Sequence, residues 1–188
     1  MKKQCYLLLF LPFFSQAHDN GLGDGFIAGF THPVLGLDHL LAMLSVGILS
    51  MKIGKKAMWL LPVSFVVMMF LGAVLGFNGF ELLSVETSIA LSVIILGIMI
   101  AYGQFAPFLL SISIVSFFAL FHGYAHGSEI PYLADVNGYI IGFMSATIII
   151  HLIGIVMTLS LMKLKLGTTL LKYIGFIIAL SGLPFLIN

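Results

Sequence analysis

The sequence predicts an all-α membrane protein with about six transmembrane helices after a cleavable signal peptide. Of its 188 residues, 61% are hydrophobic and only 8% are charged, whereas soluble domains carry about 25% charged residues. The apolar residues form six long runs, each close to the ~20 residues that cross a bilayer as a helix. A shorter apolar run precedes these six and has the features of a leader.

The leader occupies residues 1–17. Lys2 and Lys3 form a positive start, and an apolar run of about ten residues follows, which is too short to span a bilayer. Ser15 and Ala17 place small residues where a signal peptidase reads them, so cleavage is expected before His18. The free amine and imidazole of His18 would then bind a metal ion together, unless His18 is simply an exposed terminal residue.

The mature chain, residues 18–188, is predicted to be one polytopic membrane domain. Its spans are expected at residues 25–51, 57–77, 85–102, 107–126, 137–161 and 169–187. The single cysteine, Cys5, lies in the leader, so the mature chain offers neither a disulfide nor a thiolate metal ligand. The sequence has no clustered basic face, which excludes a nucleic-acid partner and leaves the lipid bilayer as the surrounding medium.

Charged residues beside the spans predict the topology. The lysines of the mature chain all lie near the ends of the loops after spans one and five: Lys52, Lys55, Lys56, Lys163, Lys165 and Lys172. The loops after spans two and four carry acidic residues instead: Glu81, Glu86, Glu129 and Asp135. Because lysine-rich loops stay in the cytoplasm, we expect a bacterial inner-membrane protein with a periplasmic mature N-terminus.

Two polar motifs interrupt the apolar runs. One reads HPVLGLDH over residues 32–39, and the other reads FHGYAHGSE over residues 121–129. Ionisable groups are costly within a bilayer and mark a functional site by default. Imidazole together with carboxylate is a ligand set for divalent transition metals. The two motifs therefore predict a membrane protein that handles metal ions.

The first motif supplies His32, Asp38 and His39. The two histidines are seven residues apart and would share one face of a continuous helix, with Asp38 beside them. Pro33 is expected to kink the helix near His32 and to let water or an ion approach. Asp38 would either bind the metal or accept a proton from a histidine and fix its tautomer.

The second motif supplies His122, His126 and Glu129. The histidines are one helical turn apart, and Glu129 extends the same stripe if the helix continues that far. At ~1.5 Å per helical residue, the sequence predicts a ladder of polar groups. From the outside inward, its order is His126 with Glu129, then His32 with His122, then Asp38 with His39. His151, at or past the middle of span five, is either a packing histidine or a further ligand.

Both motifs resemble the two signatures of the HupE/UreJ family. The likeness rests on the strings HPVLGLDHLLAMLSVG and FHGYAHGSE, and it extends to the leader and the number of spans. Members of that family are regarded as nickel or cobalt permeases encoded with hydrogenase or urease genes. The resemblance implies metal binding at the six motif residues: His32, Asp38, His39, His122, His126 and Glu129. It also implies nickel-enzyme maturation proteins as partners.

Two other classes of membrane protein also use histidines within the bilayer, namely metal-dependent hydrolases and cytochromes. An intramembrane zinc-dependent hydrolase would need three metal ligands, an open coordination position and a general base. Histidine and aspartate could supply the ligands. However, the HExxH motif is absent, and the expected ladder of polar groups is spread over depth, whereas a catalytic cluster would be compact. A b-type cytochrome would not place carboxylates beside its histidines.

No nucleotide motif is present, so transport must run on ion gradients. Nickel or cobalt is the expected cargo, with zinc or copper as alternatives, and a homo-oligomer is compatible with the sequence.

Overall fold

The computed structural model describes residues 22–102, 107–131 and 134–187, and in these ranges all regular secondary structure is helical. The helices are α1 (Leu22–Leu35), α2 (Leu37–Ile53), α3 (Lys55–Phe77), α4 (Val85–Tyr102), α5 (Phe108–Ser128), α6 (Val136–Leu161) and α7 (Gly167–Ser181), followed by a 3-10 turn at Pro184–Leu186. The predicted signal peptide and His18 lie outside the described residues.

Five of the helical segments are long and apolar enough to cross a membrane, and the bent pair α1–α2 makes a sixth if it forms one span. The chain is therefore an all-α multi-pass membrane protein, as predicted. Helices α3 to α6 begin and end within two residues of the predicted spans. The last predicted span, 169–187, is divided into α7 and the 3-10 turn.

The first predicted span, 25–51, contains a sharper break than the kink expected at Pro33. Its two parts, Gly25–Leu35 and Leu37–Ile53, meet at an angle of 80°. Pro33, which was expected to kink the helix, lies inside the last turn of α1, and the break falls three residues later at Gly36. His32 therefore lies near the end of α1, whereas Asp38 and His39 lie in the first turn of α2.

Close backbone approaches set the direction of neighbouring helices. On α3, a Cβ at Gly72 would lie 2.0 Å from the Leu120 carbonyl oxygen of α5, and one at Gly76 would lie 2.3 Å from that of Tyr124. A step of four residues forward on α3, from Gly72 to Gly76, matches a step of four residues forward on α5, from Leu120 to Tyr124, so α3 and α5 run in the same direction. Only glycine allows backbones to approach so closely within a membrane bundle.

Close backbone approaches also position the bent pair α1–α2 against α6. A Cβ at Gly29 of α1 would lie 2.1 Å from the Tyr139 carbonyl oxygen of α6, and one at Gly47 of α2 would lie 2.3 Å from that of His151. The contacts of the bent pair thus move along α6 in chain order, from Tyr139 beside α1 to His151 beside α2. The described lysines lie at the end of α2, at the start of α3, in the loop after α6 and in the second turn of α7, so they gather at one end of the bundle. The two polar motifs lie toward the other end.

Candidate metal-binding site

The break between α1 and α2 positions the first motif. Gly36 has an extended backbone conformation (φ −77°, ψ 105°) that any residue can adopt, so glycine is not needed for its dihedral angles. A Cβ there would be tightly placed, because it would lie 3.3 Å from both Asp38 Oδ1 and His39 Nδ1. The absence of a side chain at position 36 leaves room for the hydrogen-bonded pair Asp38 and His39 beside the break.

Asp38 holds His39 through two hydrogen bonds. Its Oδ1 atom accepts from the His39 backbone N–H at 2.8 Å and from His39 Nδ1 at 2.9 Å. The backbone bond satisfies one of the amide groups that the start of a helix leaves unpaired. A neutral imidazole that donates its Nδ1 proton to Asp38 has an unprotonated Nε2, and this buried atom of His39 has no hydrogen-bond partner.

Helix α5 supplies two fully buried histidines one turn apart, His122 and His126. His122 Nε2 lies 2.9 Å from the Ser92 hydroxyl of α4, whereas His122 Nδ1 has no partner. His126 stacks on Phe143 of α6, with ring centroids 4.8 Å apart and planes 13° apart, and neither of its nitrogens has a partner. Buried polar groups without partners are costly and need an explanation.

The four motif histidines form one continuous row. The ring centroids of His32 and His126 are 4.9 Å apart, those of His126 and His39 are 4.8 Å apart, and those of His39 and His122 are 4.9 Å apart. His32 also lies edge-on to His39, at 6.0 Å. The row therefore joins α1, α2 and α5 although the two motifs are about ninety positions apart in sequence.

Glu129 closes the exposed end of the row. It follows the last residue of α5, and its Oε2 atom lies 3.1 Å from His32 Nε2. This hydrogen bond lowers the pKa of the Glu129 carboxyl from its usual value, although partial burial acts in the opposite direction. Both side chains remain partly exposed. From this pair the row continues through His126 and His39 into the fully buried interior at His122.

The structure corrects the expected order of depth. His32 lies beside His126 and Glu129 rather than level with His122. His39 contacts His122 and His126 directly instead of lying one or two turns below them. The reason is the 80° break, because the rise per residue of a continuous helix does not apply across it. The predicted ladder is thus a compact row.

The six motif residues come together without forming a finished coordination shell. Among the described residues, no group of three or more His, Cys, Asp or Glu side chains is arranged to hold one ion. The free nitrogens of His39, His122 and His126 are nevertheless in adjacent rings. Because rotation of a histidine side chain moves its ring nitrogens without moving the backbone, these rings could ligate an ion after side-chain adjustment.

His151 lies apart from this row. Its ring packs edge-on against Phe65 at 5.1 Å, and Phe65 in turn lies 5.7 Å from His122. Both nitrogens of His151 are buried without a partner. The residue also lines an otherwise apolar cavity of about 250 Å³ between α3 and α6, together with Trp59 and Pro62.

Three residues of the site carried no recognisable signal in the sequence. Ser92 is one of many hydroxyl residues in apolar helices, and Phe143 is one of 17 phenylalanines. Tyr139, whose ring lies 6.1 Å from that of His32, begins a span and therefore has the position of an ordinary interface aromatic. Only the packing of α4 and α6 against α1, α2 and α5 shows that these three residues contact the histidines.

Comparisons with known proteins agree with this arrangement of motifs. Residues 6–185 match the family model described as HupE / UreJ protein. The chain is 41% identical over 180 residues to a protein named Protein HupE from Rhizobium leguminosarum bv. viciae, and the match covers 96% of this chain and 94% of that protein. No solved structure matches the chain.

Proposed function

Because this chain belongs to the HupE/UreJ family, we propose that it carries a divalent transition-metal ion, nickel or cobalt, across the bacterial inner membrane into the cytoplasm. It would act as a gradient-driven permease and not as an enzyme. The lysine-bearing end of the bundle would face the cytoplasm and the Glu129 end the periplasm.

The row of four imidazoles is the observation that carries this proposal. It begins at the partly exposed pair of His32 and Glu129 and ends at the fully buried His122. Adjacent rings are close enough for an ion to pass from one ligand to the next. A structural histidine needs only one hydrogen-bond partner, which does not explain four neighbouring rings with four unpartnered nitrogens among them.

Each of the six motif residues has a role in metal binding that follows from its position along the row. His32 and Glu129 would capture the hydrated ion at the exposed end, where water can still be exchanged. His126, His39 and His122 would bind it in the interior through neutral imidazole nitrogens. Asp38 orients His39 and places a negative charge beside the ion, which offsets the cost of a divalent charge within the membrane.

The zinc-dependent hydrolase is the competing function. The compact row removes the argument that the polar groups are too spread out for catalysis. The progression from exposure to complete burial still favours passage of an ion, because a hydrolase must bring a substrate and a water molecule to its metal.

Metal uptake by cells with and without the chain tests the proposal. Cells that express it should accumulate radioactive nickel or cobalt from the medium, and an excess of the second metal, of zinc or of copper should identify the preferred ion by competition. Preloaded cells should not lose metal faster than cells without the chain. Faster loss together with no uptake would show that the protein is an exporter.

A further inference from the structure

Ser92 contacts the metal-binding row from α4, a helix that contributes no motif residue. Its side chain is fully buried. Its Oγ atom lies 2.6 Å from the Ile89 carbonyl oxygen one turn earlier and 2.9 Å from His122 Nε2. The Ser92 hydroxyl therefore contacts both the Ile89 carbonyl oxygen and His122, which is a candidate metal ligand.

The two distances locate the protons. A serine hydroxyl has one hydrogen and can donate only one hydrogen bond at a time. Two oxygens 2.6 Å apart repel each other unless a proton lies between them, so the hydroxyl proton of Ser92 points to Ile89. Toward His122, Ser92 then acts as an acceptor, and Nε2 of that imidazole must carry the proton.

We propose that Ser92 is a positioning residue for metal binding, because it accepts the Nε2 proton of His122 and leaves Nδ1 of that ring as the ligand atom. This inference rests on the proposed function of the row. A neutral imidazole has one protonated and one unprotonated nitrogen, and only the unprotonated nitrogen binds a metal. His122 Nδ1 is buried and has no other partner.

The neighbouring histidine has the complementary arrangement. Asp38 occupies Nδ1 of His39 and leaves Nε2 free, whereas Ser92 occupies Nε2 of His122 and leaves Nδ1 free. The two rings are 4.9 Å apart. Metal-binding histidines in proteins usually donate their second ring N–H to a protein oxygen, which fixes the tautomer and the ring orientation. Each ring of this adjacent pair has such an oxygen.

Ser50 provides a matched control. It is also a fully buried helical serine, and its hydroxyl donates to the Gly47 carbonyl oxygen three residues earlier, at 2.8 Å. It makes no side-chain hydrogen bond to a histidine. Ser50→Ala and Ser92→Ala thus remove the same group from the same kind of backbone bond, and only Ser92→Ala removes the contact with His122.

The test uses the purified full chain in detergent, labelled with ¹⁵N-histidine. The ¹⁵N chemical shifts report which ring nitrogen is protonated, and loss of one signal set in His122→Gln assigns His122. Without metal, the wild type and Ser50→Ala should show His122 protonated at Nε2, whereas Ser92→Ala should show a mixture of tautomers. Ser92→Thr, which keeps the hydroxyl, should restore the wild-type signal.

Nickel and cobalt titrations of the same samples give the second readout. Ser92→Ala should bind metal about 10–100-fold more weakly than the wild type, the usual cost of removing such an outer partner, while Ser50→Ala should bind normally. A wild-type His122 protonated at Nδ1 would overturn the inference, as would unchanged metal affinity in Ser92→Ala. If the wild type binds neither metal, the proposed function itself fails, and the titration of the wild type shows this separately.

Discussion

Asp38 is the carboxylate that hydrogen-bonds to a histidine inside the proposed site. Its Oδ1 atom accepts two hydrogen bonds from His39, and asparagine could keep a similar shape with one carbonyl oxygen. Asp38→Asn removes the negative charge that would offset a divalent ion in the membrane. We expect metal uptake by this variant to fall to background at any metal concentration, measured by cell-associated nickel or cobalt, while the protein still reaches the membrane.

Glu81→Gln is the matched control for this charge. Glu81 is an exposed carboxylate in the loop between α3 and α4, and no described side chain hydrogen-bonds to it. This variant should transport as the wild type does. Normal uptake by Asp38→Asn would show that the carboxylate is not needed for transport and would contradict the assignment of the site to the first motif.

His151 allows a second prediction at this scale. An unpaired polar group in the interior costs about 1–3 kcal/mol, and both nitrogens of His151 lack partners. Replacement by leucine of similar size should therefore raise the melting temperature of the purified protein. We also expect uptake by His151→Leu to fall, because its two unpartnered ring nitrogens are available to bind an ion. Unchanged uptake with increased stability would make His151 a packing residue.

The sequence predicted the motif histidines because imidazole and carboxylate are rare and costly within apolar runs. It could not predict Ser92 or Phe143, since serine and phenylalanine are common in membrane helices and are recognisable only by what they contact. His122 and His126 share a face because α5 is continuous through both. The neighbours of these histidines on α4 and α6 depend on tertiary packing.

The break between α1 and α2 is the element that brings the first motif to the second. A methyl group at position 36 would lie 3.3 Å from both Asp38 Oδ1 and His39 Nδ1, which is closer than ordinary van der Waals contact. Gly36→Ala should displace this hydrogen-bonded pair by a few tenths of an ångström. We expect uptake to fall by about tenfold, as for other disturbances of residues that orient ligands, in a protein that still folds.

Leu35→Ala provides the comparison at the same break. Leu35 is 81% exposed, so its truncation alters the surface beside Gly36 without approaching the Asp38–His39 pair. Its uptake should remain near that of the wild type. Equal loss in both variants would mean that the break tolerates no change at all, and the steric argument for Gly36 would be wrong.

The lengths of the helices and a bend in the first span were predictable, whereas the position and size of the break were not. Spans two to five follow from apolar runs of ~20 residues, and their ends agree with the structure within two residues. In the first span, Pro33 was the stronger local signal for a bend. The chain instead continues as helix through Pro33 and turns at Gly36, where a Cβ would crowd the Asp38–His39 pair. Such crowding depends on three-dimensional contacts.

At the scale of the whole molecule, charge is divided between the two ends. The lysines lie at the end where α2 and α6 finish, and Lys52 Nζ donates there to the Ile100 carbonyl oxygen in the last turn of α4. A positive side chain at a helix C-terminus interacts favourably with the helix dipole. The partly exposed carboxylate of Glu129 lies at the opposite end, so a cation would meet acidic and imidazole groups first and lysines last.

For the proposed uptake of a divalent cation, the membrane potential is a sufficient source of energy. An inside-negative potential favours entry of a divalent cation by about 4.6 kcal/mol per 100 mV, twice the ~2.3 kcal/mol for one charge. At about 1.4 kcal/mol per tenfold change in ratio, the limiting accumulation is on the order of a thousandfold. No coupled ion and no nucleotide is required, in agreement with the absence of a phosphate-binding loop motif from the sequence.

Proteoliposomes provide the corresponding experiment. Vesicles that contain the purified chain and a metal-sensitive dye are given a potassium diffusion potential, negative inside, in the absence of ATP. Nickel or cobalt should enter rapidly, and dissipation of the potential with an ionophore should reduce entry to the level set by the metal gradient alone. Asp38→Asn vesicles should give no response to the potential. Accumulation that persists without a potential but requires a pH gradient would replace uniport with proton coupling.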